Sequence, residues 1–117
     1  MNQVPSPIDF AGLLDMLGGE KQIVASLLSK FVEELNSDLA ASEQAVVDQD
    51  AEALRQIAHR VKGTSANLHA LMLSAAAREL EQACTEADAS LMTIKQQVMS
   101  DQGRLVREAI ESWRTEA

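Results

Sequence analysis

The chain has 117 residues, 46% apolar and 24% charged, with ten Lys and Arg against eighteen Asp and Glu for a net charge of −8. That length supports one hydrophobic core and not two, and the acidity argues against a nucleic-acid or anionic-lipid surface, each of which needs a broad basic face. Five Gly, two Pro, two Phe, one Trp and no Tyr leave little vocabulary for strands and hairpins, so an all-α domain is expected. No apolar run approaches the roughly 18 residues of a membrane span. Met1-Asn2-Gln3-Val4-Pro5 has neither the charged nor the apolar region of a signal peptide. A lone cysteine, Cys84, allows no internal disulfide. Together these point to a cytoplasmic protein without direct membrane insertion.

The first helix is predicted at about residues 7–17. Ser6 is placed to cap, Pro7 suits the first helical position and Asp9 stands where a capping-box acid belongs. Phe10, Leu13, Leu14 and Leu17 make its apolar face, and Gly18-Gly19 ends it. So short a helix is expected to lie as a lid on something larger.

The second helix, about 20–47, carries Val24, Leu27, Leu28, Phe31, Leu35, Leu39 and Val46 at helical spacing. Asp48-Gln49-Asp50 breaks it and offers an N-cap for the third, about 51–68. The fourth, about 71–87, stacks Leu73, Ala76, Ala77, Leu80, Ala83, Cys84 and Ala87, small side chains that allow close packing. The last, about 91–114, is expected to turn Leu91, Ile94, Val98, Leu105, Ala109 and Trp113 inward, with Gly103 a weak point. Four long amphipathic helices with short connections predict an antiparallel four-helix bundle, with the short N-terminal helix added.

One face of the third helix is not explained by packing. At about 100° per residue, Leu54, Ile57, Ala58, Val61, Ser65 and Leu68 share an arc of about 100°, and His59 lands about 150° from its centre. His59 is therefore expected in solvent, flanked by Arg55 and Lys62, with Gly63 at i+4 and Ala66 at i+7. An exposed imidazole is a nucleophile that can take up a phosphoryl group and give it back, and two nearby cations would balance that group's charge. Gly63 costs a helix interior about 1 kcal/mol relative to Ala. Its place beside the histidine suggests that a partner must come close, over Gly63 and Ala66. From Ala53 to Arg78 there is no Asp or Glu, where simple proportion would give about four. Arg55, Arg60, Lys62 and Arg78 thus predict a basic patch that meets an acidic site on the partner.

The run His59-Arg60-Val61-Lys62-Gly63-Thr64-Ser65-Ala66-Asn67-Leu68 resembles the signature of histidine-containing phosphotransfer (HPt) domains. The likeness continues through Ala70, Leu73, Ala76, Leu80 and Glu81. The resemblance implies a phosphocarrier of a multistep two-component phosphorelay, one that takes a phosphoryl group from the aspartate of one receiver domain and passes it to another. On this mapping His59 is phosphorylated at Nε2, Lys62 steadies the phosphoryl charge and Gly63 gives the receiver access. The implied partners are receiver domains of response regulators and of a hybrid sensor histidine kinase. Mg²⁺ is expected on the receiver, and no cofactor or metal is expected on this chain. No nucleotide site is implied, and no Gly-rich phosphate loop is present, so autonomous kinase activity is not expected.

Two positions depart from the family pattern. His69 stands where members usually carry Gly, at a place that needs a left-handed or turn conformation. Glu81 stands where some members use a Gln to bind the active imidazole, with Gln82 beside it. A carboxylate there would orient the ring and raise its basicity, and it would also repel a phosphoryl group. Val32, off the main stripe of its helix, is a candidate apolar contact with the receiver, and Arg60 a docking cation.

The remaining residues read more plainly. His59 and His69 lie ten positions apart without ligand-spaced partners, so no metal site is expected. Cys84 reads as a small buried hydrophobe, and Trp113 as the anchor of the last helix. A hydrolase with His59 as base would need a concave pocket. The stronger alternative is a non-catalytic adaptor that docks on a histidine kinase or receiver without carrying phosphate. Nothing in the helix patterns requires a second apolar seam, so a monomer is expected. The capped helix close behind Met1 suggests a free-standing protein.

Overall fold

A computed structural model describes residues 6–116; the reading of Met1 to Pro5 as leaderless lies outside them. Five helices follow in order, α1 (Phe10–Met16), α2 (Lys21–Val47), α3 (Ala51–Asn67), α4 (Leu71–Thr85) and α5 (Ala89–Arg114). No strand occurs among the described residues. Three aspartates start helices by accepting an orphan N–H of the first turn: Asp9 from Gly12 at 2.9 Å, Asp50 from Ala53 at 3.0 Å and Asp88 from Leu91 at 3.1 Å.

The start of α1 therefore differs from the sequence reading. The cap is Asp9, and Pro7 precedes the helix, because the Ser6 hydroxyl is turned to the Ile8 carbonyl at 2.7 Å. Ile8 and Leu13 are fully buried, and Phe10, Leu14 and Leu17 pack at the edge of the core. Gly18 and Gly19 end the helix with positive φ, and the Gly19 N–H closes on the Leu14 carbonyl. Asp9 N–H also donates to the His69 carbonyl at 3.1 Å, tying α1 to the α3–α4 turn. Phe10 stacks on Trp113 with ring centroids 5.1 Å apart, which closes α1 over the end of α5.

Side by side, α3 packs against α2 and α4, and α5 packs against α4 and α2. The core is Val24, Leu28, Phe31, Leu35 and Leu39 of α2, Leu54, Ile57, Ala58 and Val61 of α3, Leu73, Ala76, Ala77, Leu80 and Cys84 of α4, and Met99, Val106, Ile110 and Trp113 of α5. Leu27, expected in the α2 stripe, is 40% exposed. Ala87, expected in the α4 stripe, lies beyond the helix at φ 55°.

The largest correction is the rotation of α5. Ile94 and Val98 face solvent, while Gln96, Met99 and Gly103 face the core. Two interleaved helical stripes exist in this segment, and the packing selects the one containing glycine. A Cβ on Gly103 would stand 2.7 Å from Leu39 Cδ1, so α5 approaches α2 more closely than a side chain there permits. The helix runs unbroken through Gly103. Gln96, on the same face, is buried because its amide donates to the Ser42 and Ser100 hydroxyls at 3.1 and 2.9 Å.

Candidate functional site

The rotation of α3 is set by what it buries. Leu54, Ile57, Ala58, Val61 and Ser65 are inside, and the opposite side of the helix carries His59, whose side chain is 66% exposed. Beside α3 runs α4, whose core-facing alanines Ala76, Ala77 and Ala83 allow close approach. The Ser74 hydroxyl donates to the Lys62 carbonyl at 2.8 Å and pins the two helices together near the site.

This packing brings Glu81 of α4 between two groups of α3. One carboxylate oxygen, Oε2, lies 2.8 Å from His59 Nδ1, and the other, Oε1, accepts from Lys62 Nζ at 2.7 Å. The Lys62 ammonium, and secondarily the His59 ring, hold the Glu81 carboxyl below the usual carboxylate range, against the opposing effect of burial. An ionised carboxylate can only accept, so Nδ1 of His59 carries the proton. In the neutral ring the lone pair is then on Nε2, which has no hydrogen-bond partner among the described residues.

Gly63, one turn beyond His59, borders open space. A Cβ built at Gly63 would meet nothing within 4 Å, and Ala66 one turn further is exposed and small. No packing among the described residues calls for a glycine at that point.

The other candidates separate. Arg55 is held by Glu52 of its own helix, donating from Nε and Nη2 at 3.0 and 2.6 Å, and the arginine brings the Glu52 carboxyl down to about 2. Arg60 turns toward α2, where it donates to Asp38 at 2.6 to 3.3 Å. The basic patch expected on α3 is therefore neutralised by acids at 52, 38 and 81, of which only Glu52 is near in sequence.

Val32 is displaced more decisively. It is half-buried against α5, beside Arg104, Arg107, Glu108 and Glu111. The apolar residue of α2 on the α3 side is Leu27, which lines a shallow groove with Phe31, Thr64, Asn67 and Leu68. Gln82 faces the α4–α5 groove with Glu79 and Lys95, which leaves Glu81 alone to reach the imidazole. His69 has the left-handed φ of 61° expected at its turn. Cys84 is buried, and burial pushes its thiol up, so it is no nucleophile. Among the described residues no group of three or more His, Cys, Asp or Glu is placed to hold a metal, and no helix is long and apolar enough to cross a membrane.

Asp38 was not singled out by the sequence: the i, i+3 spacing of Glu52 and Arg55 is legible in one dimension, but the pairing of Asp38 with Arg60 spans 22 residues and two helices.

The family model for the Hpt domain matches residues 26–116, which include the whole of α3 and α4. No protein of curated function gives a significant match. The chain superposes on the crystal structure of histidine-containing phosphotransfer protein B (HptB) from Pseudomonas aeruginosa PAO1 with a TM-score of 0.85, at 26% identity over 96% of both chains. With the family model spanning most of the sequence and an exposed histidine within the matched region, the chain belongs to the Hpt domain family, the histidine phosphotransfer proteins of phosphorelays.

Proposed function

We propose that His59 takes a phosphoryl group at Nε2 from the aspartyl phosphate of one receiver domain and passes it to the aspartate of another. The observation that carries this reading is the His59–Glu81 contact of 2.8 Å, which fixes the proton on Nδ1 and directs the free lone pair of an exposed ring outward. Lys62, within reach of the same carboxylate, supplies the cation for the transferred group. Arg55, one turn before His59, adds a second cation if it leaves Glu52. Gly63 and Ala66 form the clearance through which a receiver's aspartate approaches, and exposed Leu27 takes the apolar docking role in place of Val32.

Several finer points belong to the same proposal. Helices α2 to α5 act as an antiparallel four-helix bundle with α1 as its lid, a rigid platform that presents α3 sideways. The protein works as a cytoplasmic monomer and as a carrier without kinase activity of its own. It holds no cofactor, the Mg²⁺ of the reaction residing on the receiver. Its partners are the receiver domains of response regulators and of a hybrid sensor histidine kinase.

The test is a transfer assay. A receiver domain carrying radiolabelled aspartyl phosphate is mixed with the protein and Mg²⁺, alongside a His59→Gln variant. Label that moves to the wild type alone, is lost in acid and survives alkali supports the carrier. If no label moves from several receivers while binding persists, the chain is an adaptor and His59 a docking residue.

A further inference from the structure

The carboxylate at Glu81 has a consequence for the phosphorylated state, not only for the free imidazole. We infer that Glu81 keeps phosphorylated His59 protonated at Nδ1, so that the phosphoryl group is poised to leave and the protein is a short-lived carrier, not a phosphate store. The inference rests on phosphorylation of His59 at Nε2.

The chemistry follows from the bond changes. In the inward step the Nε2 lone pair attacks phosphorus, an N–P bond forms, and the P–O bond to the donor aspartate breaks with its electron pair leaving on the carboxylate. Nδ1 already carries its proton, so none has to move, and the ring acquires positive charge as the bond forms. Glu81 Oε2, 2.8 Å from Nδ1, stabilises that charge. In the outward step an acceptor carboxylate attacks phosphorus, the N–P electrons return to Nε2, and a neutral imidazole departs. Were Nδ1 unprotonated, the departing group would be an imidazolide anion, a far poorer leaving group. Deprotonation would also set the Nδ1 lone pair against a carboxylate oxygen, an arrangement with no hydrogen bond and two facing acceptors.

The surrounding charges decide the size of this effect. On α3 the facing groups are Arg55, already bound to Glu52, and Lys62, bound to the other Glu81 oxygen. On α4 it is Glu81 itself. From the α2 side, Asp38 and Glu34 act on Arg60. Glu81 is thus the acid in contact with the ring, and Lys62 is its counterweight. If Lys62 turns to the phosphoryl group, as the transfer reading requires, the full charge of Glu81 is left to the imidazolium, and protonation is favoured further.

The protein as it exists can be loaded on histidine with phosphoramidate, ammonia leaving as the N–P bond to Nε2 forms. The phosphohistidine is then followed by ³¹P resonance across pH and by its rate of hydrolysis. Wild type, Glu81→Gln and Lys62→Gln are compared, with helical content checked by circular dichroism. A glutamine retains the shape and the acceptor while removing the charge, so a purely structural role would leave the titration in place. The expected result is a titration midpoint about one pH unit lower in Glu81→Gln, with hydrolysis at mildly alkaline pH about tenfold slower. Lys62→Gln is expected to shift the midpoint the opposite way. Equal midpoints in wild type and Glu81→Gln, or a downward shift in Lys62→Gln, would overturn the inference while leaving His59 as the carrier. His59→Gln is loaded in parallel, and the same titrating ³¹P resonance in that variant would overturn the transfer reading and this inference together.

Discussion

Lys62 and His59 hold the two oxygens of a single carboxylate, that of Glu81, at 2.7 and 2.8 Å. The cation expected to wait beside the histidine is therefore already engaged, and the histidine's proton is assigned before any partner arrives. Folding α4 against α3 creates both conditions at once.

A pH dependence of stability follows from the direction of the Glu81 shift. Its carboxyl lies below the ordinary value of 4.5 in the folded protein. A carboxylate lowered on folding contributes stability that is fully present above its unfolded value and is lost as pH falls through the folded value. Chemical denaturation of wild type and Glu81→Gln should give stabilities that differ near neutral pH and converge as the pH drops below about 4. A gap that persists into strong acid would show that the charge is not its source.

Gly63 sets stability against function. Replacement by Ala meets open space and should raise stability by about 1 kcal/mol through helix propensity. Gly63→Leu would retain most of that gain while placing a bulky side chain where the proposed transfer brings in a receiver. Urea melts should show both variants at least as stable as wild type, and transfer rates should fall steeply for Leu alone. Wild-type transfer by Gly63→Leu would remove the clearance argument.

Gly103 behaves in the opposite sense. A valine at this position would push into Leu39, whose Cδ1 lies 2.7 Å from the Cβ site. Overpacking of this kind costs about 1–3 kcal/mol, and Gly103→Val should lower the denaturation midpoint accordingly. Gly103→Ala should cost less, because the Leu39 methyl can rotate away and alanine favours the helix.

Ala87 and His69 both sit at positive φ, 55° and 61°, just past helix ends. Ala87 is exposed and lies beyond α4, so Ala87→Gly removes left-handed strain at little other cost and should stabilise by about 1 kcal/mol. The same change at His69 should yield less, because its ring packs near Gly12 and Asp9. Thermal melts of the two variants would rank them.

Arg60 and Asp38 connect α3 to α2 through an aspartate whose side chain is only 12% exposed. Arg60→Ala would strand that carboxylate and should cost about 1–2 kcal/mol, between the value of a surface pair and that of a buried one. A double-mutant cycle with Asp38→Asn measures the coupling, and a coupling near zero would return Arg60 to the docking surface.

Much of this protein was legible in one dimension. The periodicity of α2, α3 and α4 identified their buried faces, since a helix in water can hide an apolar stripe only by turning it inward. The same wheel exposed His59, and the residues around it carried the family resemblance. At α5 periodicity alone was insufficient: two apolar stripes competed, and the close approach of Gly103 to Leu39 selected between them. Charge was legible only as a sum. The absence of acids between Ala53 and Arg78 predicted a basic patch, but electrostatics act through space, and acids outside that stretch pair with Arg55, Arg60 and Lys62. The exposed histidine could be named from the sequence because exposure on a helix is periodic. The Glu81 contact that sets its tautomer and the pairing of Lys62 with the same carboxylate required the fold, because both depend on a residue of a different helix.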